Sequence, residues 1–286
     1  MPQITIRGAH INYEILGDQG PWVALSPGGR RPLEGVKHLA ERVAAQGYRV
    51  LIHDRRNCGA SDVGFEGTAD APTEYEIWAE DLYALLKHFN ATPAFIGGGS
   101  SGCRMSLLLA LRHPDAVRGL LLWRVTGGEF AAKRLANQYY FQFIEAAKKG
   151  GMAAVCASEH FAERIRQRPA NRDAILKMDV NRFVASFEKW AQGFLQDANK
   201  PVIGATTEQL QSIKVPVILV PGNDKTHDRG VGERAHAIMK GSELYLLFAE
   251  NVDIDIVPPQ EWESKDDELA GVFSNFIKRH SANDTY

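Results

Sequence analysis

The sequence predicts an α/β fold, a doubly wound and mostly parallel sheet with a helical segment inserted into it. Short apolar runs alternate with amphipathic helical stretches over residues 1–126 and again over 201–286. Alternation of that kind makes parallel strands joined by right-handed crossovers. Between them, residues 127–200 lose the strands and keep a helical pattern dense in aromatics, among them Tyr139, Tyr140, Phe143, Phe161, Phe183, Phe187, Trp190 and Phe194. A chain of 286 residues suits one large domain with such an insertion better than two full domains.

The elements follow in order. "QITIRGAHINYEIL" alternates as a β-hairpin does. "WVALS" (22–26) is a buried strand ending at the turn "PGG". Val36, Leu39, Ala40 and Val43 stand at helical spacing over 33–46, and Gly47 stops that helix. "YRVLIHD" (48–54) is the next strand, followed by a polar, glycine-rich loop to about residue 74. Trp78, Leu82, Leu85, Leu86 and Phe89 share one helical face. "PAFIG" (93–97) is a strand, "SGCRMSLLLALRH" a helix stopped at Pro114, and "VRGLLLW" (117–123) a strand. After the insertion come the strand "PVILVPG" (216–222), a helix over 229–240, the strand "ELYLLF" (243–248) and a last helix ending near Arg279. The closing "SANDTY" reads as a frayed end. Phe183, Phe187, Trp190 and Phe194 lie on one helical face and read as the core of the insertion.

Apolar residues make up 44% and charged residues 24% of the chain, the balance of an ordinary core and surface. The net charge of −2, with no long run of one sign, argues against nucleic acid or an anionic membrane as partner. Cys58, Cys103 and Cys156 are odd in number and widely spaced, so neither a disulfide framework nor a zinc spacing follows, and a reducing compartment is expected. The first residues read as strand rather than as a secretion signal. No apolar run approaches the roughly 20 residues of a membrane span. A cytoplasmic protein acting on a small molecule is the expectation.

The stretch "FIGGGSSGCRM" (95–105) spells two motifs. Gly97, Gly99 and Gly102 give G-x-G-x-x-G, a phosphate-cradling loop. In a dinucleotide fold that loop follows the first strand, and a carboxylate ends the second. Here about four strands precede it, and the next one ends in Trp123 and Arg124. Gly98, Ser100 and Gly102 give G-x-S-x-G, a strand-to-helix turn so tight that bulky neighbours are excluded and the Ser100 hydroxyl is lifted above the sheet edge. The helix starting there aims free N–H groups at a developing oxyanion. Ser101 is the poorer nucleophile, because the position two after it is Cys103. Cys58 and Cys103 lack a local histidine and read as packing residues.

These residues make the chain resemble the α/β-hydrolase fold superfamily over nearly its whole length. "IGGGSSGCRMSLLLALRHPDAVRGLLL" is similar to the family's elbow, helix, His-Pro stop and following strand. "HDRRNCGASD" (53–62) resembles its Asp-x-Arg-Gly-x-Gly-x-Ser loop, with Asn57 at one of the glycines. "IKVPVILVPGND" resembles the strand that delivers the catalytic acid. The resemblance implies that 127–200 is a helical cap over the site, with 1–126 and 201–286 as the core. It places oxyanion donors at the backbone N–H groups of Ser101 and of Gly29, where Pro27 stands in place of the family's usual histidine. Arg30 and Arg31 follow directly. A guanidinium there either clamps a substrate carboxylate or stands solvated at a loop surface. Trp123 and Arg124 should border the pocket, compatible with a small carboxylated or aromatic substrate.

The family's histidine belongs after the last strand, where this chain has Val252, and no histidine lies between His236 and His280. A serine without a base is a weak nucleophile. His227 in "PGNDKTHD" is the leading candidate, since its loop leaves the same sheet edge as Ser100. Asp224, three residues before it, stands near the family's acid position and also fits a local Asx turn. Asp253, beside the vacated position, is the alternative orienting carboxylate, since roles and not chain order define a triad. His160 in the insertion is a further candidate, and His53 reads as packing beneath the site. The expectation is a serine hydrolase of a small ester, lactone or related carbonyl compound, with no metal or organic cofactor implied. A lyase, a cofactor-free oxygenase and a silent ligand-binding member stay open on the same fold. Members of this fold often pair, so a homodimer is an expectation the sequence does not decide.

Overall fold

The structure, a computed structural model, describes residues 2–281. Residues 282–286, the greater part of the expected frayed end, lie outside the described residues. Eight strands form one sheet: β1 (Gln3–Ile6), β2 (Ala9–Leu16), β3 (Trp22–Ser26), β4 (Arg49–His53), β5 (Ala94–Gly99), β6 (Val117–Trp123), β7 (Val217–Val220) and β8 (Glu243–Leu244). Their order is β1-β2-β4-β3-β5-β6-β7-β8. β1 and β2 join antiparallel, and every pairing from β4 to β8 is parallel.

The parallel strands are buried on both faces, as crossover helices require. Their residues alternate between two cores. Val23, Leu25, Val50, Ile52 and Phe95 face one layer, which holds α1 (Glu34–Ala44) and the last long helix, Asp266–Ser281. Ala24, Leu51 and Ile96 face the other, which holds α2 (Glu74–His88) and α3 (Ser101–Arg112). Thr73 opens α2 with a capping box: its hydroxyl accepts the Glu76 N–H, and the Glu76 carboxylate accepts the Thr73 N–H. Between β6 and β7 come α4 (Gly128–Ala136), a π-helical turn (Asn137–Phe141), α5 (Gln142–Ala157), α6 (Glu159–Gln167), α7 (Ala170–Leu176) and α8 (Val180–Gln196). Phe183, Phe187, Trp190 and Phe194 of α8 are all buried in the core of this inserted layer. Phe65 reaches into it from the loop after β4, edge-on to Phe161, Phe183 and Phe187. The short α9 (Thr207–Ser212) precedes β7, α10 (Arg229–Ile238) and α11 (Pro259–Glu263) follow it, and α12 is the Asp266–Ser281 helix.

The loop after β4 is tied down by buried Asp54. Its carboxylate accepts the Leu33 N–H (2.6 Å), the Asn12 side-chain amide (2.7 Å) and the Ala60 N–H (2.8 Å). Asn57 takes the left-handed φ of +70° that a glycine would otherwise supply, which asparagine tolerates better than most residues. One element differs from the sequence reading. The expected strand 243–248 pairs only at Glu243 and Leu244, with one more bond from Tyr245 N to Leu219 O (2.9 Å). The next rung falls at Pro221, which has no N–H to donate, so the ladder ends.

His53 ends β4 fully buried, with neither ring nitrogen hydrogen-bonded among the described residues. Burial, and secondarily the charge of Arg55, push its pKa down to about 3. The unfolded chain therefore takes up the His53 proton first, and stability falls as pH drops from about 6.5 toward 3, by about 1.4 kcal/mol per pH unit. Urea midpoints at pH 6.5 and 5 should show His53→Leu losing roughly 1.5–2 kcal/mol less than the native chain over that interval. Equal losses would contradict a buried neutral imidazole.

Candidate active site

Ser100 stands between β5 and α3 at φ +54° and ψ −109°, a backbone strained for any side chain other than glycine's. The turn is as tight as the motif implies. A Cβ on Gly98 would collide with the Gly102 backbone, and one on Gly102 would lie 2.6 Å from Ser26 O. The Ser100 N–H is held by Trp123 O at 3.0 Å.

The loop after β7 brings His227 to this hydroxyl: Nε2 lies 3.0 Å from Ser100 Oγ. Its Nδ1 lies 2.9 Å from Asp224 Oδ1 and 3.2 Å from Oδ2. Asp224 Oδ1 also accepts the His227 backbone N–H at 2.8 Å, so the Asx-turn reading and the orienting reading hold together. Oδ2 accepts the Val257 N–H at 2.9 Å. With a proton on Nδ1, Nε2 is free to accept one from the serine. Burial works to raise the Asp224 carboxyl, but hydrogen bonds from the His227 ring and from Val257 outweigh it and hold the pKa at about 2. Burial, and then the charge of Arg124, push the imidazole down to about 4 against the opposing pull of Asp224. At neutral pH the pair is thus carboxylate and neutral imidazole.

Asp253 does not orient His227. Its side chain is 92% exposed and bonded to Lys225 Nζ at 2.8 Å. The segment around it runs along the outside of the β7 loop, through Val252 N to Asn223 O, Lys225 N to Ile254 O and Thr226 N to Asp255 O, which leaves the Asp253 carboxylate in solvent. His160 packs against Phe143 and Phe161. His280 lies beside Glu243 at the end of α12.

The β3 turn runs against the serine: a Cβ on Gly28 would come within 3.2 Å of Ser100 Cβ. Gly29, at φ +56°, has its carbonyl held by Arg55 Nη2 (2.6 Å) and by Ser101 Oγ (2.7 Å), and Arg55 Nη1 donates to Ser101 Oγ (3.0 Å). The Ser101 N–H opens α3 and is one of the donors a helix start leaves without an intrahelical partner. Arg55 is 1% exposed and lies 4.4 Å from the Trp78 ring centroid. The sequence offers no signal for it beyond two adjacent arginines, and its partners lie 26 and 46 residues away.

Arg30 corrects one of its sequence readings. It is not solvated at a loop surface: it is 5% exposed, donates to Glu74 Oε2 at 2.8 Å, sits within 6 Å of the Tyr139, Tyr140, Phe143 and Phe187 ring centroids, and lines the cavity. Burying a guanidinium is costly unless it is paired and hydrogen-bonded, and no local pattern marks Glu74 as the partner of Arg30. Tyr140 Oη and Asn57 Nδ2 also donate to Glu74, joining the inserted layer to the loops after β3 and β4. Arg164 of α6 does the same by donating to Arg30 O and Asn57 O. Arg31 is exposed and lies 3.4 Å from Glu263. Trp123 packs on Phe273. Arg124 places Nη2 at 3.3 Å from both Asp224 Oδ2 and His227 Nδ1. Cys103 is buried, with its thiol pushed up to about 12 by that burial. A cavity of about 1020 Å³ lies between the sheet edge and the inserted helices, lined by Gly29, Ser100, Trp123, Arg124, Tyr139 and His227 among others.

The sheet order, the elbow and the Ser100–His227–Asp224 chain of hydrogen bonds define a serine-elbow α/β fold with an inserted helical layer. A sequence pattern for the alpha/beta hydrolase fold matches residues 28–141. Pimeloyl-[acyl-carrier protein] methyl ester esterase of Neisseria meningitidis is 30% identical over 197 residues, covering 65% of this chain and 73% of that protein. An uncharacterized hydrolase of Bacillus subtilis is 31% identical over 120 residues, 41% of this chain and 42% of that protein, so the match spans less than half of that relative. A thermophilic esterase from Thermogutta terrifontis superposes with a TM-score of 0.64 at 19% identity, over 98% of this chain and 99% of that one. The chain belongs to the α/β-hydrolase fold superfamily. Among the described residues, no helix is long and apolar enough to cross a membrane.

NMR titration of the imidazole should place His227 near pH 4, below the ordinary 6.5. In Arg124→Gln the same resonance should titrate at higher pH, because an opposing charge has gone. A His227 titration near 6.5 in the native chain would contradict the buried, cation-flanked geometry.

Proposed function

We propose that the protein is a serine hydrolase acting on a small ester, lactone or related carbonyl compound. One observation carries the reading: the 3.0 Å contact of His227 Nε2 with a strained Ser100 hydroxyl, backed by Asp224 at 2.9 Å. As Ser100 Oγ attacks the carbonyl carbon, His227 takes its proton and Asp224 stabilises the imidazolium that forms. The Gly29 and Ser101 N–H groups receive the oxyanion, and loss of one such donor typically costs about 3–4 kcal/mol of barrier. His227 then gives its proton to the leaving oxygen. Water, activated by the same imidazole, attacks the acyl-enzyme and releases the acid. The inserted helices act as a cap that forms one wall of the cavity, whose roughly 1020 Å³ has room for a small-molecule ester or lactone. The esterase among the relatives supports the ester class.

A fluorophosphonate should label Ser100, and Ser100→Ala should abolish both labelling and turnover of a 4-nitrophenyl ester. Asp224→Asn should lower kcat by about 10⁴, while Asp253→Asn should stay within about twofold, as for a surface change. Turnover of the ester that survives Ser100→Ala would overturn Ser100 as the nucleophile. Arg55 acts as a positioning residue: Arg55→Met should lower kcat by about 10- to 100-fold with KM little changed, part of the loss seen on removing a donor outright. A rise in KM at constant kcat would refute that role.

A further inference from the structure

Arg124 is placed where the triad chemistry alone gives no reason for a cation. It follows β6 at φ +56°, left-handed for a non-glycine residue, and its backbone N–H is held by Val220 O at 2.9 Å. Strain of this sort persists where the surroundings enforce it and concentrates at functional positions. The guanidinium lies 5.0 Å from the Trp262 ring centroid. Its partner carboxylate, Asp224, is shared: Oδ2 is 3.3 Å from Arg124 Nη2 but 2.9 Å from the Val257 N–H, and Oδ1 serves His227. Arg124 Nε is buried with no hydrogen-bond partner among the described residues. The rest of the side chain, 13% exposed, lines the cavity that holds Ser100. Arg31 lines the same cavity, and its charge disfavours that of Arg124.

A positive charge 3.3 Å from His227 Nδ1 opposes the imidazolium that must form when Ser100 is deprotonated. An anion in the cavity would supply what Arg124 lacks and remove that opposition. We propose that the substrate is an ester or lactone carrying a free carboxylate, and that Arg124 binds this carboxylate beside the reacting carbonyl. This deepens the serine-hydrolase reading and rests on it. Of the arginines that line the cavity, Arg30 is paired with Glu74, Arg31 with Glu263 and Arg164 with Glu163, whereas Arg124 touches the triad itself. A carboxylate held there is present in both ground and transition states. Its relief of the imidazolium is felt only in the transition state, so the preference appears in kcat as well as in KM.

The test compares 4-nitrophenyl butyrate with mono-4-nitrophenyl glutarate on the full-length protein. The native chain should favour the anionic ester by roughly 10- to 100-fold in kcat/KM, the scale of a charge-assisted hydrogen bond. In Arg124→Gln the two esters should come within about threefold of each other, the ratio being taken within the variant because loss of the charge beside His227 alters both rates. A native chain indifferent to the carboxylate overturns the proposal, as does an Arg124→Gln variant that slows both esters alike. Calorimetry on Ser100→Ala separates this failure from that of the hydrolase reading. Glutarate should bind at least tenfold more tightly than glutaramide even where neither ester is turned over. Equal binding of the two, or none, also overturns it, including where Arg124→Gln does not fold.

Discussion

The site depends on a turn of four residues, Asp224 to His227, at the carboxyl end of β7. One oxygen, Asp224 Oδ1, accepts both the backbone N–H and the ring Nδ1 of His227. The bond that closes the turn and the bond that aims the imidazole therefore cannot be separated. The other oxygen is held by Val257 N–H, from the segment where a member of this superfamily ordinarily carries its histidine. In this chain that segment carries no histidine and instead supplies the N–H that holds Asp224. Gly222 makes the arrangement possible, since a Cβ there would collide with the His227 backbone.

The opposite wall of the site is built by burial of charge. Arg55 bridges Gly29 O and Ser101 Oγ and so fixes the two backbones on either side of Ser100 with a single planar group, a geometry that lysine cannot reproduce. Glu74 gathers Arg30, Asn57 and Tyr140, and Arg164 reaches two carbonyls of the same loops. Buried ionic groups of this kind add little net stability, but removing one partner is costly. Their effect here is registration: the inserted helices can sit on the core in one position, and the cavity takes its shape from that.

The fold is legible in the sequence because it rests on periodicity. Strands buried on both faces and helices with one apolar face announce themselves over windows of a dozen residues. Ser100 is legible because steric exclusion at Gly98 and Gly102 leaves a local mark, and His227 with Asp224 because three residues separate them. The structure departs where the deciding partner is remote. Arg30 reads as a surface arginine until Glu74, 44 residues on, is brought against it. Asp253 stands out by its place beside Val252, yet local pairing with Lys225 holds it in solvent. The strand after residue 244 reads as apolar alternation, but a missing N–H on the neighbouring strand ends it, and periodicity within one segment carries no information about its neighbour's donors.

Placing acid and base in one loop also changes what motion at the site can do. Where the two come from separate loops, the carboxylate–imidazole and imidazole–hydroxyl distances vary independently. Here the first is locked by the turn, since Asp224 and His227 share a backbone hydrogen bond as well as the side-chain one. Any displacement of the β7 loop carries the pair as a unit. Only the separation between His227 Nε2 and Ser100 Oγ, 3.0 Å in the structure, remains to vary. Arg124 stands behind the pair: its Nη2 donates to Asp224 Oδ2 and faces the Nδ1 side of the imidazole, and its own N–H is held by Val220, the last residue of β7. Arg124 thus ties Asp224 to the strand its loop leaves, and a ligand that draws on the guanidinium acts on the charge that the imidazolium meets.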